Sequence, residues 1–186
     1  MSEIIPFFKG ERIDLVVLNL EHLKIYQKWI NDPDVNKYLR IIRPNSYEGL
    51  KKFWFPDDDN WGYYIWLEIW HKVDEKPIGM TGLYDIWKPP YRRGHLVLWL
   101  GEQEYWGKGL GVETLELIID YAFFRLNFHK VIGEVNTTNT RSLALCKKLG
   151  FVEEGYQKDM EYIDGEWTDI KLLAIFKKDW KKRRLI

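Results

Sequence analysis

The chain has 186 residues, 46% apolar and 30% charged, which suits one folded domain with a sizeable core and excludes a disordered chain. Its 28 basic and 28 acidic residues cancel, which argues against a general nucleic-acid binder. The single cysteine, Cys146, excludes an internal disulfide and a cysteine-based zinc site, so no metal is expected. The start lacks a signal-peptide pattern and no apolar run reaches the ~18 residues that span a bilayer, so no membrane partner and a cytoplasmic location are expected.

In chain order, "ERIDLVVLN" is β-branched and predicts a first strand. "LEHLKIYQKWIND" places Leu20, Leu23, Tyr26 and Ile30 at helical spacing, with Pro33 as its stop. "SYEGLKKFWF" predicts a second helix capped by Ser46, followed by the polar loop "PDDDNWG". "YYIWLEIWHK" and "EKPIGMTGLYDIW" predict two strands. "HLVLWLG" is a continuous apolar run that suits a strand buried on both faces. A helix of about four turns follows Gly109, with Leu115, Ile118, Ile119, Ala122 and Leu126 on one face. "HKVIGEVNTTN" predicts a strand and "TRSLALCKKLG" a helix with Asn139 as N-cap and Gly150 as its stop. The remainder predicts two strands joined at Asp164-Gly165, ahead of a basic tail read as a solvated terminus or a binding patch. The sum is a single mixed α/β domain over residues 1–186, with seven strands and about four helices.

One stretch asks for a ligand. In "EYWGKGLGVETLEL" three glycines, Gly107, Gly109 and Gly111, lie between a strand and a helix. Free N–H groups of a first helical turn attract anions, and glycines let oxygens approach the backbone. A tight turn without a ligand remains the plain alternative. Spacing excludes two common phosphate loops: no Ser or Thr follows Lys108, and Val112 stands where a dinucleotide fingerprint needs its third glycine.

The stretches "HLVLWLGEQEYWGKGLGVETLELIIDYAF" and "NFHKVIGEVNTTNTRSLALCKKLGFVEEG" resemble the GCN5-related N-acetyltransferase (GNAT) family, in the branch of ribosomal-protein-alanine and spermidine acetyltransferases. The resemblance covers roughly residues 8 to 180 and is strongest over 94–156. The family's [QR]-x-x-G-x-[GA] motif falls on Trp106 to Gly111, with Trp106 where Gln or Arg is usual. An Asn opening a helix that ends in "LGF" falls on Asn139 and Leu149-Gly150-Phe151. The resemblance implies a mostly antiparallel sheet with a splayed central pair, and acetyl-CoA as co-substrate. The coenzyme pyrophosphate is expected on the amides of Trp106, Gly107, Lys108, Gly109, Leu110 and Gly111. The pantetheine arm is expected on the backbone of Leu98, Trp99 and Leu100, and Asn139 is expected near the cofactor or simply as a helix cap.

In the family a base takes a proton from the attacking amine and an acid can protonate the departing thiolate. By alignment those places hold His95 and Cys146. A histidine with an ordinary pKa of ~6.5 can act as a base near neutrality, or be an ordinary strand-end side chain. Cys146 can donate a proton or be a small buried hydrophobe. The acceptor implied is the amine of a small polyamine-like molecule or of a protein N-terminus; a homodimer stands open. Asp57, Asp58 and Asp59 among aromatic residues can draw a cation or form a hydrated loop. Glu68, Tyr84, Asp85 and Glu134 are further acceptor-site candidates. A non-catalytic acyl-CoA sensor is the rival reading.

Overall fold

The computed structural model describes residues 4–40, 43–56, 64–87 and 90–184. Its strands are β1 (Pro6–Lys9), β2 (Ile13–Val17), β3 (Tyr64–His71), β4 (Lys76–Trp87), β5 (Arg93–Leu100), β6 (Lys130–Asn136), β7 (Val152–Ile163) and β8 (Glu166–Phe176). They form one eight-stranded sheet in the order β1-β2-β3-β4-β5-β6-β8-β7. The β1–β2, β2–β3, β6–β8 and β7–β8 ladders are antiparallel, and β5–β6 is parallel. The helices are α1 (Leu23–Asn31), α2 (Pro33–Asn36), α3 (Tyr47–Trp54), α4 (Leu110–Asp120), α5 (Thr140–Leu149) and α6 (Lys177–Arg184), and a π-type turn, Tyr121–Arg125, prolongs α4.

The chain divides into two compact units, one from Met1–Gly82 and Leu98–Leu117, the other from Leu83–Val97 and Ile118–Ile186. In the first, β2 and β3 bury Ile13, Leu15, Leu67 and Ile69, and α1 turns Leu23, Tyr26, Trp29 and Ile30 inward at helical spacing. Asp32 caps α2 and Pro33 opens it, where a missing N–H costs nothing. Ser46 caps α3 through its hydroxyl, as its sequence predicts.

In the second unit, Val131, Val135, Ile170, Ala174, Phe123 and Leu149 are buried. Asn139 Oδ1 accepts from Ser142 N at 3.1 Å to open α5. Gly150 ends it at φ 87°, with its own N–H on Lys147 O and that of Phe151 on Cys146 O, a paired closure that needs a left-handed residue. Asp164 and Gly165 both have positive φ, the geometry of a two-residue hairpin turn, and pair Ile163 with Glu166.

The sequence expectations need three corrections. The sheet has eight strands, because "PFFK" pairs with β2 as β1. The basic tail is a helix, α6, because Trp180 is fully buried and its Nε1 donates to Asp120 Oδ1 at 2.6 Å. β5 is not buried on both faces: only Gly94 and Trp99 are buried, and the rest is half-exposed. The reason is the β5–β6 ladder, which covers Arg93–Lys130, Gly94–Val131 and His95–Ile132 and then ends, although both strands run on.

Candidate active site

In the first unit, the glycine loop leads from β5 into α4. Gly107 and Gly109 have φ of 73° and 80°, and a Cβ on Gly107 would meet nothing within 4 Å. Among the described residues, none of the backbone N–H groups from Gly107 to Gly111 donates a hydrogen bond. These donors, at the positive end of a helix and exposed on the glycine side, have the chemistry to receive an anion.

The loop is held from behind. Arg12 Nη1 donates to Lys108 O at 2.9 Å and its Nε to Glu113 Oε2 at 3.0 Å. Glu113 Oε1 accepts the backbone N–H of Arg12 at 2.7 Å and of Ile13 at 3.3 Å. Burial alone would raise the Glu113 carboxyl, but these bonds outweigh it and the net shift is downward. Trp106, where the family motif has Gln or Arg, donates its indole N–H to Leu100 O at 2.9 Å and so fastens the loop to the end of β5. This clamp was missed in the sequence, since 101 residues separate Arg12 from Glu113.

The proposed pantetheine strand lies in the same unit. The Trp99 side chain is buried, packed at 5.7 Å on Trp66, so only the backbone of Trp99 is available to a ligand. Leu98 and Leu100 are half-exposed. None of the three residues has a ladder partner on β6.

In the second unit, His95 occupies the last rung of the β5–β6 ladder. Its Nδ1 is 3.6 Å from Glu134 Oε1, and its ring is 5.1 Å from that of Tyr84. Two of the acceptor-site candidates, Glu134 and Tyr84, are thus the neighbours of the candidate base. The arrangement sets a carboxylate beside an imidazole nitrogen. Asn139 spends its oxygen on the helix cap. Cys146 is buried, and burial pushes its thiol up to about 11, which makes it a weak proton donor at neutral pH.

The other candidates separate. Glu68 is in the first unit, fully buried on β3 against Tyr26 and His22. Asp85 is exposed with φ 46°. Asp57, Asp58 and Asp59 lie outside the described residues. Among the described residues no three His, Cys, Asp or Glu side chains gather as metal ligands, and no helix is long and apolar enough to cross a membrane.

Comparison with known proteins agrees with this geometry. The acetyltransferase (GNAT) domain profile matches residues 12–152. The chain is 27% identical over 172 residues to the uncharacterized N-acetyltransferase p20 of Bacillus licheniformis, covering 91% of this chain and 96% of that protein. It is 35% identical over 112 residues to the ribosomal protein uS5-alanine N-acetyltransferase of Escherichia coli, covering 60% of this chain and 57% of that one. Its fold superposes on the spermidine N-acetyltransferase of Vibrio cholerae, solved with CoA and spermine, with a TM-score of 0.84 at 22% identity over 91% of this chain and 98% of that one. The profile match, the sheet order and the glycine-led helix make one conclusion: the chain belongs to the GNAT family of acetyltransferases.

Proposed function

We propose that the chain moves an acetyl group from acetyl-CoA to a primary amine, carried by a small polyamine-like molecule or a protein N-terminus. The observation that carries the reading is the run of five unpaired backbone donors from Gly107 to Gly111 at the start of α4. They suit a pyrophosphate, and the Cβ-free side of Gly107 leaves room for it. Acetyl-CoA supplies the activated acyl thioester. Leu98, Trp99 and Leu100 offer backbone groups to its amide-bearing arm.

His95 is the general base of this reading and Glu134 its positioning residue. A neutral imidazole can take up the proton that the attacking amine must lose, with the Glu134 carboxylate beside it. Cys146 is a packing residue, since a thiol raised by burial gives up its proton reluctantly. The two acceptor classes come from relatives named as acting on uS5-alanine and on spermidine. A non-catalytic sensor draws no support from relatives named as acetyltransferases.

The test is a panel of polyamines, monoamines and N-terminal peptides incubated with acetyl-CoA, read as released thiol and acetylated product. Turnover with at least one primary amine is expected. Tight acetyl-CoA binding with no transfer to any amine overturns the reading.

A further inference from the structure

The glycine loop is tied to the rest of the first unit at a further place, one residue ahead of Trp106. The Tyr105 ring is 4% exposed, and its hydroxyl donates to Asp74 Oδ2. Asp74 lies on the turn between β3 and β4 and is itself exposed. His71, at the end of β3, packs its ring 4.9 Å from that of Tyr105 and sets its Nδ1 2.9 Å from the same carboxylate oxygen. The Tyr105 ring also meets Lys108, the residue between Gly107 and Gly109, whose Nζ is 5.4 Å from the ring centroid.

We propose that Asp74 is a positioning residue for the cofactor: by holding the Tyr105 hydroxyl it fixes the loop in the shape that offers the amides of Gly107 to Gly111 to a pyrophosphate. The role deepens the reading of that loop as the acetyl-CoA site and rests on it.

Three glycines make the loop costly to order. A loop left free meets that cost at the moment of binding, whereas one fastened beforehand does not. Trp106 and Lys108 are already held, through Leu100 O and Arg12. Two links reach the preceding residues from the start of β4 and the turn before it. Lys76 Nζ pairs with Glu104 Oε1 at 3.1 Å, but both side chains are about half-exposed and such a pair contributes little. The Asp74 link joins a carboxylate to the hydroxyl of a buried ring, a charge-assisted bond. The Asp74 carboxyl is accordingly held below its ordinary range, chiefly by that hydroxyl. Packing needs only the ring, which a phenylalanine would supply equally well. The hydroxyl and its carboxylate therefore call for a reason other than the core.

Acetyl-CoA affinity of the full chain, measured by calorimetry, is the test. Tyr105→Phe and Asp74→Ala should each bind about tenfold more weakly than wild type, the usual effect of losing one charge-assisted bond. The double variant should be no weaker than either single one, since both changes remove the same bond. Asp74→Asn, which keeps an acceptor oxygen, should stay within about threefold of wild type. A hydroxyl that only stabilises the fold would lower the urea midpoint of Tyr105→Phe and leave its affinity unchanged, and that result overturns the proposal. So do losses that add in the double variant, or an Asp74→Asn affinity no better than that of Asp74→Ala. Gly109→Val separates the two claims. If it loses acetyl-CoA while Tyr105→Phe binds as wild type does, only the positioning role fails. If both bind as wild type does, the loop is not the cofactor site and the positioning role falls with it.

Discussion

His95 Nδ1 lies 3.6 Å from Glu134 Oε1, at the rung where the parallel ladder of β5 and β6 stops. The distance is long for a hydrogen bond, so the carboxylate stands beside the ring as a close charge. If His95 is the base, the pH profile of kcat/KM carries an inflection in the histidine range. His95→Ala removes it and lowers kcat/KM by about 10²–10⁴-fold, with acetyl-CoA affinity unchanged. Glu134→Gln removes the charge beside the ring and should lower kcat/KM by less than His95→Ala does. A profile unaltered in both variants would show that neither residue acts on the proton.

Gly109 is tested by backbone strain rather than by crowding. A Cβ there meets only Arg12 Nη2 at 3.6 Å, but φ is 80°, a region that costs a non-glycine residue about 1–2 kcal/mol. Gly109→Val forces the loop to move or strains it, and its branched side chain stands among the free amides. Acetyl-CoA affinity by calorimetry should fall below detection, while circular dichroism and the cooperative unfolding transition persist. Retained affinity would remove this loop from the cofactor site.

The Glu113 clamp makes a pH-dependent contribution to stability. Its carboxyl is held below the ordinary value, so the stabilisation is complete above the unfolded-state pKa and is lost as pH falls through the folded one. Arg12 is half-exposed, so most of the effect comes from the backbone N–H groups of Arg12 and Ile13 rather than from the guanidinium. Glu113→Gln should destabilise by about 1–3 kcal/mol at neutral pH, measured by urea unfolding. The gap to wild type should narrow below pH ~4. A gap independent of pH would mean that the charge contributes nothing.

Cys146 should prove silent in catalysis. Its thiol is raised to about 11 by burial. Cys146→Ala should keep kcat within about twofold and cost about 1 kcal/mol of stability from lost packing. The native thiol should react slowly with a disulfide reagent at pH 8. A large kcat loss with unchanged stability would restore it as the acid.

Local signals were the legible part of this fold. Ser46, Asn139, Gly150 and Asp164-Gly165 each act through neighbours within a few residues, so their spacing alone predicts the caps and the hairpin. The glycine loop was legible for the same reason. Long-range matches were not. Nothing in "GERID" shows that Arg12 and Ile13 meet Glu113, and the His95–Glu134 pair depends on a parallel register set by tertiary structure. α6 was obscured because its composition is almost wholly charged, and one residue, Trp180, supplies its buried anchor. Glu68 was visible only as a candidate, because a carboxylate within an apolar strand does not reveal which of its oxygens is satisfied.

Amide hydrogen exchange measures the unpaired amides at the head of α4 directly. Exchange at Gly107, Lys108, Gly109, Leu110 and Gly111 should be fast in the free protein, where these groups donate to nothing among the described residues. Saturating acetyl-CoA should slow it by about tenfold or more at these positions, while the amides around Asp164-Gly165, a turn assigned no ligand, exchange as before. Unchanged exchange over Gly107 to Gly111 in protein shown by calorimetry to be saturated with acetyl-CoA would contradict the account.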